Sequence, residues 1–148
     1  MPARFLPVTP HDLDRVLEMM TLLYAQSSSA FDVARARCAT ETLLREPEFG
    51  GAWIIDLDGA AAGYVVVLLG YSLEFGGRFG LLDELYVAEN FRGMGLGTQA
   101  IAFAGEQCRA RGWRALRLEV GQKNLRAQSL YQWSGFKMHD RFLMTKWM

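Results

Sequence analysis

The sequence predicts an α/β chain of the α+β type, with a mixed, mostly antiparallel central sheet flanked by about four helices. Three observations lead there. The middle of the chain holds three strand-like runs joined by tight-turn signals, Asp58-Gly59 and Gly76-Gly77. Two helical stretches precede that block, and a helix–strand–helix series with two short closing strands follows it. The length of 148 residues, 51% of them apolar, suits one domain over residues 1–148 with one sizeable core.

Each element has a local cause. ARFLPV reads as a first strand. Thr9 or Asp12 caps a helix whose Leu13, Val16, Leu17, Met20, Leu23 and Tyr24 recur at i, i+3, i+4, i+7 spacing. SSSAF interrupts, and a second, weaker helix runs from Val33 to Arg45 before Pro47 and Gly50-Gly51 stop it. AWIIDLD, DGAAAGYVVVLLGYSLEF and RFGLLDELYVAE then form an antiparallel meander. A helix from Gly95 to Arg111 ends at Gly112, and the strand RALRLEV and the helix NLRAQSLYQWS follow, the latter ended by Gly135. FKM and FLMTKW close the order β α α β β β α β α β β.

Composition narrows the function classes. Sixteen basic and sixteen acidic residues cancel, so no global field draws the chain to nucleic acid or to an acidic membrane surface. The longest apolar run, Gly59 to Tyr71, falls short of the roughly 20 residues that span a bilayer. MPARFLPVTPHDLD carries no apolar signal core, and Cys38 and Cys108 show neither metal nor redox spacing. The expectation is a cytoplasmic protein with free thiols and no metal. His11 and His139 read as surface residues.

The stretch NFRGMGLGTQAI, Asn90 to Ile101, places Gly93, Gly95 and Gly97 behind Arg92, between a strand and a helix. The first turn of a helix leaves backbone N–H groups unpaired and concentrates partial positive charge, so glycines ahead of it let main-chain donors wrap a phosphate. Arg92 adds a cation and Thr98 a hydroxyl, and a diphosphate is the natural guest. The phosphate loop of nucleotide hydrolases needs Lys-Ser/Thr after its last glycine, whereas Thr98-Gln99 stands here. A dinucleotide fold needs G-x-G-x-x-G and a doubly wound parallel sheet, which three antiparallel strands ahead of the loop do not make.

Arg92, Gly95 and Gly97 match R-x-x-G-x-G, and the chain resembles the GNAT superfamily of N-acetyltransferases over almost its whole length. A second motif carries the resemblance: NLRAQSLYQWSGF has Asn124, Ala127, Leu130, Tyr131, Gly135 and Phe136 in matching places. The resemblance implies a sheet splayed between its fourth and fifth strands, with acetyl-CoA in the gap. It assigns the backbone of Leu85, Tyr86 and Val87 to the pantetheine arm and the loop Arg92, Gly93, Met94, Gly95, Leu96, Gly97 and Thr98 to the diphosphate. Asn124, Ala127 and Tyr131 complete the cofactor wall. A strand edge suits pantetheine because its two amides find main-chain partners there, and the N–H of Val87 would steady the oxyanion formed on attack. Each of these residues also has a plain role available: Leu85 to Val87 as core strand, Asn124 as helix cap, Tyr131 as packing.

Acetyl transfer to an amine needs a base, since an ammonium with a pKa of about 10.4 must lose a proton before it attacks. The strand LLDELYV offers Asp83 and Glu84, which strict alternation sends to opposite faces, Asp83 with Leu81, Leu85 and Val87, Glu84 with Leu82 and Tyr86. The resemblance to spermidine/spermine-type enzymes favours Asp83; Glu84 and Glu119 remain alternatives. Tyr131 matches the family's general acid for the departing thiolate. An acetyl-cysteine route finds no base beside Cys38 or Cys108.

The acceptor is an amine, of a small molecule or of a protein. QSSSAFD and GYSLEFGGRFG bring Phe31, Tyr71, Phe75 and Glu74, an aromatic set with one acid that would hold an amine through cation–π contact and charge, or would equally close the core or a homodimer interface. A non-catalytic module that binds acyl-CoA as a regulatory ligand is the alternative function.

Overall fold

The computed structural model describes residues 1–27 and 29–148. The chain runs β1 (Arg4–Pro7), α1 (Leu13–Ala25), α2 (Val33–Arg45), β2 (Gly50–Leu57), β3 (Ala60–Ser72), β4 (Gly77–Val87), α3 (Leu96–Ala110), β5 (Leu116–Arg117) and α4 (Leu125–Trp133). Asp32 caps α2 by accepting from the N–H groups of Ala34 and Arg35. Asp58 and Gly59 both take positive φ, 51° and 87°, the geometry that matches a two-residue hairpin to strand twist.

The five strands form one sheet in the order β1-β2-β3-β4-β5, antiparallel except for the parallel pair β4–β5. Helices cover both faces, which is why β2 and β3 read as continuous apolar runs. On one face α1 packs Val16, Leu17 and Met20 against Ile54, Tyr64, Val66 and Tyr86. On the other α3 packs Ile101, Ala104 and Cys108 against Trp53, Val65, Val67 and Leu82. Leu96, Ala100, Ile55 and Ala62 form a third cluster that anchors the start of α3. Gly80 lets β4 approach the helix layer closely, since a Cβ there would lie 2.3 Å from Cys108 Sγ.

The C-terminal strands differ from expectation. FKM and FLMTKW form no strand; residues 137–148 carry no regular structure and are exposed, with Phe142 84% and Trp147 88% accessible. Strand propensity alone cannot build a ladder, because a strand needs a neighbour's edge for its N–H and C=O groups. That edge is short: RALRLEV contributes only Leu116 and Arg117 to the sheet. Arg141 of this segment reaches back to Glu74 at 3.3 Å. Among the described residues no helix is long and apolar enough to cross a membrane.

Candidate active site

The β4–β5 pair consists of Gly80 opposite Leu116 and Leu81 opposite Arg117, with Gly80 N–H donating to Ala115 C=O at 2.8 Å. Beyond Leu81 the two strands part, so the sheet is splayed there. At the far end of β4, Ala88 N–H donates to Ala62 C=O at 2.8 Å. Alternation along the strand therefore turns the backbone of Leu85 and Val87 toward the free edge. The side chain of Tyr86 is buried on the α1 face, and the same alternation turns its N–H and C=O toward β3, so the cleft-facing main chain is that of Leu85 and Val87.

A cavity of about 460 Å³ opens beside that edge, lined by Val87, Arg92, Gly93, Gly95, Leu96, Gly97, Thr98, Asn124 and Ala127 of the expected set. Gly93 and Gly95 both sit at φ 78°, a left-handed conformation that side chains resist, and a Cβ on either would meet no protein atom within 4 Å. The loop therefore uses them for their backbone shape. Gly97 differs: it is helical, and its Cβ would lie 3.5 Å from Leu130 Cδ2, so it marks the close approach of α4 to α3. Gln99 N–H donates to Gly95 C=O at 3.1 Å, which begins the helical ladder and leaves the amides before it without an intrahelical acceptor. Leu96, 2% exposed, pins this turn to the core.

Arg92 is not loose: its Nε donates to Val87 C=O at 2.9 Å, fixing the guanidinium between strand end and glycine loop. Asn124 serves as cap, its Oδ1 accepting from Ala127 N–H at 3.2 Å, while still facing the cavity. Met94 is half exposed on the loop and, like Leu85, Tyr86 and Tyr131, lies outside this cavity's lining. The sequence reading missed Gln26, Phe91, Arg126 and Leu130, which do line it. Arg126, in the first turn of α4, was findable as a second cation after Asn124. Gln26 was not, since only the packing of α1 brings it here.

The acids require a correction. The β3–β4 register pairs Val66 with Glu84 but Val67 with Leu82, so Asp83 is an extra residue in a β-bulge. The bulge breaks the alternation that grouped Leu82 with Glu84 and Tyr86: Leu82 joins the α3 face, while Tyr86 joins the α1 face. Asp83 and Glu84, assigned by alternation to opposite faces, instead line one groove of about 810 Å³ between the sheet and α1–α2.

Their environments differ. Glu84 accepts hydrogen bonds from Tyr24 Oη and Tyr64 Oη, each 2.7 Å, one to either carboxylate oxygen. Asp83 has no such partners and keeps an open side to the groove. Desolvation by the groups packed around it, then the negative charges of Glu84 and Glu119, raises its pKa from 3.8 to about 6. Glu119, exposed on the segment after β5, thus acts on Asp83 through its field.

Tyr131 packs in the α3-side cluster with its ring 5.8 Å from Phe136, and burial raises its pKa. Phe31 and Tyr71 line the groove beside Asp83. Glu74 and Phe75 do not: Glu74 pairs with Arg141, and Phe75 packs on Phe79 under the Arg117 guanidinium. His11, His139 and Cys38 are exposed; Cys108 is buried, which raises its thiol pKa and keeps it unreactive. Among the described residues no group of three or more His, Cys, Asp or Glu is placed to hold a metal ion.

Similarities to known proteins agree with this geometry. An uncharacterized N-acetyltransferase of Methanocaldococcus jannaschii is 29% identical over 144 residues, 95% of this chain and 62% of the relative. One from Archaeoglobus fulgidus is 32% identical over 82 residues, 55% of this chain and 56% of the relative. The chain thus spans less than two thirds of the length of these archaeal relatives. An integron cassette protein from the mobile metagenome of Cole Harbour salt marsh superposes with a TM-score of 0.84 at 29% identity, covering 97% of this chain and 90% of the other. An aminoglycoside N-acetyltransferase in complex with CoA shares the fold at a TM-score of 0.83 and 18% identity, over 98% of this chain and 94% of that one. With residues 16–136 matching its family model, a splayed β4–β5 pair and a glycine loop opening α3, the chain belongs to the acetyltransferase (GNAT) family.

Proposed function

We propose that the chain transfers the acetyl group of acetyl-CoA to a primary amine by direct attack within a ternary complex. The observation that carries this reading is the β4 bulge, which turns a carboxyl with a pKa of about 6 into a groove next to an open strand edge. Acetyl-CoA supplies an activated acyl group as a thioester. The residues present fit it: Gly93, Gly95 and the free amides opening α3 suit a diphosphate, with Arg92 and Arg126 as cations, and the free edge at Leu85 and Val87 suits an amide-bearing arm.

Asp83 takes a proton from the acceptor ammonium, which a base of pKa near 6 does while still ionised at pH 7. The freed amine nitrogen bonds to the acetyl carbon as the carbon–sulfur bond breaks. Tyr131 Oη hands a proton to the leaving sulfur, and the proton lost from nitrogen as the amide forms restores the phenol. One proton is released overall. Glu84, held by two phenols, fixes the bulge and helps to hold Asp83 at its raised pKa.

A thiol-release assay across a panel of amines, run beside Tyr131→Phe, tests this. Acetyl-CoA binding without turnover on any amine, and an unchanged Tyr131→Phe protein, would instead support a regulatory acyl-CoA-binding module.

A further inference from the structure

The groove that receives Asp83 has a composition that its position does not require. Its walls are Met20, Phe31, Leu43, Leu68 and Tyr71, and its only charged lining residues among those described are Asp83 and Glu84. Both oxygens of Glu84 already accept phenol hydrogen bonds, 2.7 Å from Tyr24 and 2.7 Å from Tyr64. Asp83 and Glu84 are adjacent, so the negative charge of the groove is concentrated at one place, and Asp83 is the carboxylate there without a side-chain hydrogen-bond partner. The volume, about 810 Å³, is far more than an ammonium group needs and lies within the range of about 300–1,000 Å³ that takes a whole small ligand.

We infer that the acceptor is a primary monoamine with an apolar body, its ammonium at Asp83 and its aryl or alkyl part against the Met20, Phe31, Leu43 and Leu68 wall. This rests on the acetyl-transfer reading and specifies its substrate. A polycation would place the ammonium groups that extend beyond the Asp83–Glu84 corner against apolar side chains with no counter-charge, and a desolvated, unpaired charge is strongly disfavoured. Apolar surface on the acceptor gains from the same wall. Tyr24 and Phe31, with ring centroids 4.8 Å apart, supply an aromatic corner close to Glu84, suited to the ring of an arylalkylamine. The same chemistry is offered by a free amine and by a peptide whose N-terminal residue is apolar.

The test is kcat/KM by thiol release for 2-phenylethylamine, hexylamine and a tetrapeptide with N-terminal leucine, against spermidine and the aminoglycoside kanamycin. The expected result is at least about a tenfold preference for the apolar monoamines, the discrimination that one mismatched group commands in an apolar pocket. Preference between the free amines and the peptide decides the source. Tyr71→Glu adds a further carboxylate at an exposed rim position, 71% accessible, and with its melting temperature checked it should shift the ratio toward spermidine. Leu43→Glu, with its melting temperature checked, should do the same deeper in the groove. Equal or better turnover of spermidine or kanamycin by the native chain overturns the inference while leaving acetyl transfer standing. Should no amine turn over, the transfer reading fails, and calorimetric binding of 2-phenylethylamine against spermidine in the presence of CoA still decides the class: tighter spermidine binding refutes it.

Discussion

Replacing Asp83 by Asn removes the carboxyl that the bulge leaves without a side-chain partner in the groove proposed to take the acceptor. A general base of matched pKa contributes roughly 10²- to 10⁴-fold, so kcat/KM should fall by that factor, or about 3–5 kcal/mol of transition-state stabilisation. The pH profile gives a sharper readout. With a pKa raised from 3.8 to about 6, the native enzyme should show an acid limb of unit slope that levels near pH 6, and Asp83→Asn should lack it. Stability moves the other way. Between 3.8 and about 6 the native state holds a proton that the unfolded chain has released, so stability falls as pH rises through that window and stays lower above it. The full shift corresponds to about 3 kcal/mol, but Asp83 is open to solvent, and screening reduces the effect to ~1 kcal/mol. Asp83→Asn should therefore raise the melting temperature at pH 7–8 and leave it unchanged near pH 3. The assays are thiol release from pH 5 to 9 and thermal melts over the same buffers extended to pH 3. A variant that keeps kcat/KM within threefold of native, or retains the limb near pH 6, refutes Asp83 as the base.

Glu84→Gln leaves Tyr24 and Tyr64 competing for one remaining acceptor oxygen and should cost about 1–3 kcal/mol in a urea melt. Because the Glu84 charge raises the Asp83 pKa, the same variant should move the acid limb to lower pH. Gly95→Ala forces a side chain onto φ 78° and should destabilise by about 1–2 kcal/mol and weaken CoA binding measured by calorimetry. Gly97→Ala, on helical backbone with ordinary contact to Leu130, should keep or raise the melting temperature, so any affinity it loses reports a Cβ intruding on the diphosphate seat. Tyr131→Phe should lower kcat with CoA affinity and melting temperature nearly unchanged, since only the phenol oxygen is removed.

Local chemistry made much of the molecule legible without coordinates. The helix Val33–Arg45 is stopped before Pro47, the hairpin is set by Asp58-Gly59, and the glycine loop by two residues that take positive φ. These features depend on a few adjacent residues, and their physics is complete within them. Element order as far as α4 followed, and with it the loop's place at a helix start, whereas the splayed sheet was an expectation of the family resemblance.

What the tertiary structure decided depends on partners distant in sequence. Whether Asp83 and Glu84 share a face turns on a single extra residue in β4, Asp83 itself, between the partners of Val67 and Val66, and a one-residue slip reverses every side chain beyond it. That Glu84 is held while Asp83 stays free comes from Tyr24 and Tyr64, 60 and 20 residues away along the chain. The closing strands were plausible as propensity yet have no ladder, because β5 is two residues long. Backbone conformation is set by neighbours in the chain, whereas register and ionisation are set by neighbours in space.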